Sequence, residues 1–421
     1  IIGWGMAGPA LALALARRGQ RVTAFERVEA SQPVGAGILI QPTGMQALAE
    51  LGVLDEVGRN ATPVRRLFGR TAGGRTVMDI AYRDRAPGLY GLGVHRGNIF
   101  QALAPRALAA GVELRAGVEV EELRSRPTGL RPFADGRELG EFDLVVCADG
   151  ARSRLRGQGL LPRRVDPFPF GALWALLPDP TAVFGDHLHQ VYRGTGTMLG
   201  FLPTGRGPEG GEPLNSLFWS VKLSEVEALR ARGLEAFKAG VLELEPAAAP
   251  LLQGLRELDD LLLAPYFDVR MPRLTGMVGS AGLAFIGDAG HAMSPQLGQG
   301  TNLALIDALA LAEALSAAPL PEALLTFEQR RRAHLRYYQL ASRWLTPIFQ
   351  SRLSWLGPPR DLLFHPLSRL PWVRGRVLDS LVGLVGLAHG LFTSQRLEEV
   401  PAWKSLPASV APEAPGSQQD H

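Results

Sequence analysis

The pattern of apolar and polar positions at the start of the chain predicts a strand, a turn, a helix and a second strand, in that order. Residues 1–2 are two isoleucines at the end of a buried strand, and a glycine-rich turn follows at 3–8. Residues 9–18 have the apolar pattern of a buried helix that stops at Gly19. Residues 21–26 predict the next strand. These elements form a β-α-β unit, and since a strand usually needs about five residues, we expect the first strand to begin before Ile1.

Apolar runs of strand or helix length continue to about residue 350. Strand-length runs bounded by glycine or polar residues lie at 112–115, 118–123, 142–147 and 283–286. Runs with helical spacing lie at 43–51, at 98–110 and from Gly300 onwards. This order of helices and buried strands predicts the α/β class.

The pattern changes to strand-like runs between about 165 and 277. The clearest of these runs are 170–177, 190–193, 198–202 and 217–221. Residues 203–213, rich in glycine, proline and glutamate, predict an exposed loop, and residues 224–251 predict helix. A proline-punctuated apolar segment at 350–396 predicts further helix, and 401–421 predicts a disordered tail.

Composition and charge narrow the class of protein. The 421 residues are 46% hydrophobic, and the net charge is only +3. All but three of the 44 basic residues are arginines, without a dense basic run, so we expect no nucleic-acid partner. One cysteine, Cys147, excludes an internal disulfide framework and favours a reducing compartment. We found no signal peptide and no uninterrupted apolar stretch of membrane-spanning length, so we expect a cytoplasmic protein.

The first candidate site is the turn between the first strand and helix. Its glycines, Gly3, Gly5 and Gly8, have the G-x-G-x-x-G spacing that brings backbone N–H groups close to a pyrophosphate at a helix N-terminus. Glu26 ends the next strand, where its carboxylate can accept hydrogen bonds from ribose hydroxyls. Ala7 and Arg27 are counted in the same site. The motif predicts dinucleotide binding and leaves FAD and NAD both open.

Two later motifs carry a resemblance to a known family. Residues 285–291 read F-I-G-D-A-G-H and 294–302 read S-P-Q-L-G-Q-G-T-N, while 148–153 read A-D-G-A-R-S. With the glycine turn, these motifs resemble the flavoprotein aromatic hydroxylases, the family of para-hydroxybenzoate and salicylate hydroxylases. The resemblance covers essentially residues 1–350 and implies FAD as the cofactor.

The resemblance also implies roles for individual residues. Asp288 would hold the ribitol or pyrophosphate end of FAD, and Asp149 would contact FAD and the nicotinamide. Further cofactor residues implied in this way are Gly37, Arg96, Val120, Gly298, Gly300, Thr301 and Asn302, with Pro295 beside the flavin. His291 is interpreted as a packing and hydrogen-bonding residue rather than a base, and no catalytic acid or base is assigned.

A physical argument supports the segment 298–302 independently of the family. Free N–H groups at a helix start favour the negative charge that a flavin carries near N1 once it is reduced. Glycines at 298 and 300 let the backbone approach the ring closely.

The resemblance implies a Rossmann-type FAD-binding domain interleaved with a β-sheet substrate domain and followed by a C-terminal helical segment. The FAD-binding domain is assigned to 1–68, 90–165 and 278–350, and the substrate domain to 69–89 and 166–277. Residues 351–400 form the C-terminal segment, whose role is open between capping the pocket, mediating dimerisation and touching a membrane surface.

The implied activity is an FAD-dependent monooxygenase that uses NAD(P)H and O₂. One oxygen atom would pass from a flavin C4a-hydroperoxide to a hydrophobic, aromatic or polycyclic small molecule. The alternatives are an FAD-dependent reductase, a halogenase-like flavoenzyme and a non-catalytic FAD-binding protein. We expect a monomer or homodimer, and no metal site is predicted.

Overall fold

A computed structural model describes residues 1–29, 36–126, 129–388 and 391–394, the last four by backbone alone. Gly35, residues 395–400 of the C-terminal segment and the predicted tail at 401–421 lie outside the described residues. The helices are α1 Ala7–Ala16, α2 Pro42–Glu50, α3 Leu54–Arg59, α4 Arg96–Ala109, α5 Val226–Ala231, α6 Leu234–Leu244, α7 Ala249–Leu252, α8 Asp288–His291, α9 Gly300–Ala317, α10 Leu320–Phe349, α11 Gly357–Ser368 and α12 Pro371–Val382.

The strands of the described part fall into a parallel sheet, a larger, mostly antiparallel sheet and several small ones. They are β1 Thr23–Glu26, β2 Gly37–Ile40, β3 Thr62–Val64, β4 Arg66–Thr71, β5 Thr76–Ala81, β6 Gly91–His95, β7 Glu113–Ala116, β8 Glu122–Arg126, β9 Gly129–Ala134, β10 Arg137–Glu138, β11 Leu144–Cys147, β12 Arg164–Pro178, β13 His187–Arg193, β14 Thr197–Gly207, β15 Gly210–Lys222, β16 Leu262–Arg270, β17 Thr275–Val278, β18 Ala281–Phe285, β19 Val385–Ala388 and β20 Leu391–Ser394.

Ile2 is the centre of the parallel sheet. It pairs in parallel with Phe25 of β1 on one side and with Cys147 of β11 on the other. Strand β7 extends the sheet beyond β1, and β18 and then antiparallel β17 extend it beyond β11. The carboxyl ends of Ile2, β11 and β18 therefore lie side by side, as in a Rossmann-type fold, and the α/β class is confirmed.

Both faces of this sheet are buried, which explains its nearly uninterrupted apolar strands. On one face, Ala24, Val146 and Ala284 belong to the core that α1, α4 and α9 form. On the other face, Phe25 and Leu283 pack with residues of β8 and β9. Small alanines along α1 let that helix sit close to the sheet while nearly all of its residues are buried.

The larger sheet has the order β16-β12-β15-β14-β13-β4-β5. Helices α5–α7 cover one face, where Phe237 and Val241 pack on Leu199 and Leu217. The opposite face is rich in aromatic side chains and packs against the end of α10. This sheet therefore has one aliphatic, helix-covered side and one aromatic side.

Three predicted segments differ from the structure. Residues 203–213 belong to the long hairpin of β14 and β15, because glycines such as Gly205, at φ +70°, absorb bulges that keep the two strands paired. The strand predicted at 118–123 occupies Glu122–Arg126, which leaves Val120 in an irregular segment. The C-terminal segment is helical only to Val382 and ends in the hairpin of β19 and β20.

Helix α9 has the length and apolar composition of a membrane span, and within the described part of the chain it alone does. It packs against α1, α2 and α10 in the core and carries the buried Asp307. These contacts identify α9 as a core helix.

Candidate active site

The turn after Ile2 requires glycine at positions 3 and 8. Gly3 has φ +100°, and a Cβ there would lie 2.5 Å from the carbonyl oxygen of Ala148. A Cβ on Gly8 would lie 2.1 Å from the carbonyl oxygen of Gly3. Helix α1 then begins at the buried Ala7 with no side chain capping it. The N–H groups of its first turn are therefore available to an anion such as a pyrophosphate.

Arg96 brings a positive charge to this turn. It is the first residue of α4 and is exposed. Its Nη2 atom lies 3.7 Å from the position that a Cβ would take on Gly5. A guanidinium beside an open helix N-terminus adds to the attraction for phosphate oxygens.

Glu26 is held beside the same turn by backbone groups. Its Oε2 atom accepts a hydrogen bond from Trp4 N at 2.7 Å, and its Oε1 atom accepts one from Val28 N at 3.1 Å. A carboxylate offers about four acceptor positions, so positions remain for ribose hydroxyls. Arg27, the next residue, is exposed.

Arg156 ties together the loops that carry Asp149 and Asp288, and sequence reasoning missed it. Its buried guanidinium donates to the carbonyl of Gly150 at 3.2 Å and to that of Ala289 at 2.7 Å. The sequence alone does not distinguish Arg156 from Arg152, because Arg152 also follows the Asp-Gly pair. Arg152 is exposed, and burial alone distinguishes the two.

The two aspartates offer acceptors to a ligand in different ways. Burial raises the pKa of Asp149, and its Oδ1 atom accepts no hydrogen bond from the described part of the chain. Asp288 is exposed, and its Oδ1 atom lies 3.7 Å from the position of a Cβ on Gly300. An unsatisfied buried acceptor and an open carboxylate are suited to the hydroxyl and amide groups of FAD.

The start of α9 forms a second open helix N-terminus. Pro295 begins a short 3-10 turn, Gly298 reverses the chain at φ +60°, and α9 follows from Gly300 without a side-chain cap. The N–H groups of Gly300, Thr301 and Asn302 therefore point out of the helix start with no partner in the preceding turn of the helix.

The side chain of Asn302 has a structural role. Its Oδ1 atom accepts from Gln41 N at 2.9 Å, and its Nδ2 atom donates to the carbonyl of Gly298 at 3.1 Å. A Cβ on Gly44 would lie 1.9 Å from Asn302 Oδ1, so α2 approaches α9 closely only because that position is glycine. Asn302 thus fixes the shape of the α9 start.

Gly37 and Val120 have packing roles in this structure. Gly37 pairs with His95, and a Cβ there would lie 2.4 Å from Thr204 Oγ1. Val120 is buried with Phe25 beneath the parallel sheet. Their assignment to the cofactor site stays a prediction that rests on the resemblance.

A buried charge network stands behind the Gly-Asp turn. Asp307 Oδ2 accepts from Gly287 N at 2.9 Å and lies 2.5 Å from His291 Nε2, and Oδ1 accepts from Arg331 Nε at 2.6 Å. Burial alone would raise the pKa of Asp307, but the facing His291 and Arg331 outweigh burial and hold it well below its usual range. His291 therefore has the packing and bonding environment that the sequence predicts.

The aromatic residues on the strands between 165 and 277 divide between the two sides of the larger sheet. Tyr192 and Phe218 are buried on the aromatic side, where Trp174 packs edge-on to Phe218 at 4.8 Å. Trp219 packs against Phe237 on the helix-covered side, so it belongs to the core. Phe267 on β16 is partly buried.

Comparisons with known proteins agree with this geometry. The model of the FAD binding domain family matches residues 1–189 and 277–338. Aurachin C monooxygenase/isomerase of Stigmatella aurantiaca is 30% identical, over 79% of this chain and 84% of that protein. A probable 2-heptyl-3-hydroxy-4(1H)-quinolone synthase of Rhodococcus erythropolis is 29% identical, over 94% of each chain. HpxO of Klebsiella pneumoniae, solved with FAD, has the same fold at a TM-score of 0.74 and 22% identity, covering 91% of this chain and 97% of that one.

We expect Asp288→Ala to weaken FAD binding far more than it perturbs the fold. The exposed carboxylate would make charge-assisted hydrogen bonds to FAD, which contribute roughly 1.5–3 kcal/mol, so their loss is equivalent to a tenfold to hundredfold rise in Kd. Titration of FAD into the apoprotein, followed by flavin fluorescence, measures this change. Asp259→Ala, which removes an exposed carboxylate paired with Arg230, should leave FAD affinity unchanged. Equal affinity in both variants would contradict the role of Asp288.

We expect His334 to make the folded protein less stable as the pH falls. Its Nδ1 atom accepts from Arg331 and its Nε2 atom donates to the carbonyl of Gly383, each at 2.8 Å, which requires a neutral ring. Burial and the facing Arg331 lower its pKa from 6.5 to about 3. Between pH 6.5 and about pH 3 the His334 side chain binds a proton in the unfolded chain but not in the folded chain. The free energy of unfolding therefore decreases as the pH falls through that range.

Urea unfolding at about pH 7 and at about pH 5 measures the effect. His334→Gln removes this titrating group and should reduce the pH dependence, while His95 and His189, whose pKa values burial also lowers, retain their share. His187→Gln, at a partly exposed position, serves as the matched control and should retain it. An unchanged pH dependence in His334→Gln would exclude His334 as its source.

Proposed function

Because the chain belongs to the FAD binding domain family and is a flavin-dependent monooxygenase, we propose that it uses NAD(P)H and O₂ to hydroxylate or epoxidise a hydrophobic, aromatic small molecule. The observation that carries the proposal is the open N-terminus of α9, beside the carboxylate of Asp288. Two relatives named for quinolone and aurachin chemistry support a polycyclic aromatic substrate. We further propose a cytoplasmic enzyme that is a monomer or homodimer.

The residues described above fit FAD in an extended form. Gly3, Gly8 and the first turn of α1 would hold the pyrophosphate, Glu26 the adenosine ribose and Asp288 the ribitol side. The first N–H groups of α9 would face the flavin ring, where they favour negative charge. Reduced FAD, when bound, supplies the activation of O₂ and the transfer of one oxygen atom.

The chain itself contributes orientation and exclusion of water. On the aromatic side of the larger sheet most rings are buried beneath α10 and α11, and the partly buried Trp174 is the ring against which a planar substrate would pack. His291 and Asp307 are buried in one network and are not proposed as an acid or base. No other carboxylate or histidine of the described part is assigned such a role. The residues therefore act by position and by the fixed dipoles of helix ends.

The activity is tested with FAD-loaded protein, NADH or NADPH, and a panel of hydrophobic aromatic compounds that includes quinolones. We expect at least one compound to stimulate NAD(P)H oxidation and to yield a product containing one oxygen atom from isotopically labelled O₂. Hydrogen peroxide is measured separately to count uncoupled turnover. Oxidation of NAD(P)H without label in the product would indicate a reductase. A product that forms only when halide is present would indicate a halogenase. Absence of turnover with every compound would indicate a non-catalytic FAD-binding protein.

We expect Gly300→Val to lower the reduction potential of bound FAD while the adenosine half of the site still binds. A Cβ at this position has Asp288 as its neighbour at 3.7 Å, so the larger valine side chain projects towards the space beside the carboxylate. A loss of about 1.4 kcal/mol of preference for the reduced cofactor corresponds to about 30 mV for two electrons. Redox titration measures it, and Gly300→Ala, which fits at ordinary contact distance, is the control. An unchanged potential in Gly300→Val would mean that the negative charge of the reduced flavin does not lie at the start of α9.

A further inference from the structure

Helix α11 has an apolar stripe on its outer face. Its inward positions include Gly357, Arg360 and Ser368, which are buried, and the Arg360 guanidinium lies over the rings of Tyr192 and Phe349 at 5.0 and 5.4 Å. Leucines occupy the opposite face with the spacing of one helical stripe, which a soluble helix normally turns towards its core. Apart from Phe364, which packs edge-on against Phe349 at 5.6 Å, the large apolar side chains of α11 therefore face away from the protein interior.

Tryptophans extend the stripe at both ends of α11. Together these side chains form a group that we call the outer surface, and each is between 48% and 71% exposed: Trp355, Leu362, Leu363, Leu367, Leu370 and Trp372. Exposed apolar groups of this size on one contiguous segment mark a surface that contacts something else.

Positive charge is concentrated around the outer surface. Residues 340–380 contain six arginines, of which Arg343 and Arg374 pair with Asp268 and Asp84 and Arg360 is buried beside Asp361. Arg352 and Arg369 are exposed, and neither forms an ion pair with the described part of the chain. Their charge is available to an external partner.

We propose that the outer surface docks on the face of an anionic lipid bilayer. Tryptophan favours the boundary between headgroups and acyl chains, leucines insert below it, and arginines pair with lipid phosphates. Helix α11 has 12 residues, about 18 Å of helix, so it is too short to span a core of about 30 Å and lies in the plane of the surface.

The charge distribution favours lipid over a second copy of the chain. A twofold interface places the same patch of both subunits face to face, so the exposed Arg352 and Arg369 of one subunit would meet the same arginines of the other. Like charges juxtaposed in this way oppose association. An anionic bilayer satisfies the apolar stripe and the arginines together.

Helix α12 links the outer surface to the candidate active site, because hydrogen bonds tie its C-terminal end to residues beside α9 and on α2. Gln299, immediately before α9, donates to the carbonyl of Leu381 at 2.8 Å, and Thr43 donates to that of Val382 at 3.1 Å. Both acceptors lie at the end of α12, the helix that starts beside Trp372. Docking would thus hold the start of α9 close to the membrane, where hydrophobic small molecules concentrate. The docking inference itself rests on exposure and charge and does not depend on the proposed activity.

Vesicle flotation of the full FAD-loaded chain tests the proposal. We expect the protein to float with vesicles of equal parts phosphatidylglycerol and phosphatidylcholine and to remain below with pure phosphatidylcholine. The double variant Trp355→Ala/Trp372→Ala should lose flotation. Each of Arg352→Glu and Arg369→Glu should weaken partitioning roughly fivefold or more, as expected for one basic residue near an anionic surface.

Matched controls change similar residues outside the outer surface. Leu325→Ala removes an exposed apolar side chain on α10, and Arg232→Glu reverses an exposed charge after α5, so both should float like the unmodified protein. The proposal is overturned by absence of flotation, by equal flotation with neutral vesicles, or by retained flotation in the tryptophan variant. It is also overturned if sedimentation velocity shows a dimer that the tryptophan variant dissolves, because the surface would then be a protein interface.

Discussion

The buried carboxylate of Asp307 is the interaction on which the cofactor side of this protein depends. It accepts the N–H of Gly287 and faces His291 and Arg331, so it joins the Gly-Asp turn, α9 and α10 at one point. A buried carboxylate is costly unless it is paired and hydrogen-bonded, and here both oxygens have partners. The turn that presents Asp288 is therefore held from behind by groups that never reach the ligand.

The polar groups of the candidate site fall into two sets, those with hydrogen-bond partners in the part of the protein that the structure describes and those without. Arg156 donates hydrogen bonds to carbonyls of the two loops that carry Asp149 and Asp288. The side-chain amide of Asn302 accepts from Gln41 N and donates to the carbonyl of Gly298. By contrast, Asp149 Oδ1 and the starts of α1 and α9 have no side-chain partner in the described part of the chain. The polar groups that shape the site have hydrogen-bond partners within the protein. The groups without such partners are acceptors and N–H donors of the kind that FAD can bind.

The C-terminal segment has an inner face with many contacts and an exposed outer face. Its inner contacts, from Arg85 to Asp379 and from Gln299 to Leu381, attach it to the body of the protein. Its outer face exposes leucines and tryptophans beside arginines. The three roles that the sequence left open for this segment stay predictions: α11 covers part of the aromatic side of the larger sheet, and its outward leucines are exposed.

Local patterns in the sequence determined the α/β class, the β-α-β start and the family. Glycines that no other residue can replace, such as Gly3 and Gly8, are visible because the turn they make is local and its spacing is constrained by sterics. The assignments of individual cofactor residues, including Glu26 and Asp288, stay predictions that the geometry supports.

Only the tertiary structure decided which of several similar residues organises the site. Arg156 and Arg152 follow the same Asp-Gly pair, and burial against Gly150 and Ala289 separates them. Asp307 looks like any polar residue of an apolar helix until α10 brings Arg331 to it, 24 residues further along the chain. In the same way, residues 203–213 form strands because distant partners supply the hydrogen bonds that local composition predicts to be absent. Long-range pairing and burial have no local signature, so residues that depend on them become recognisable only when the chain has folded.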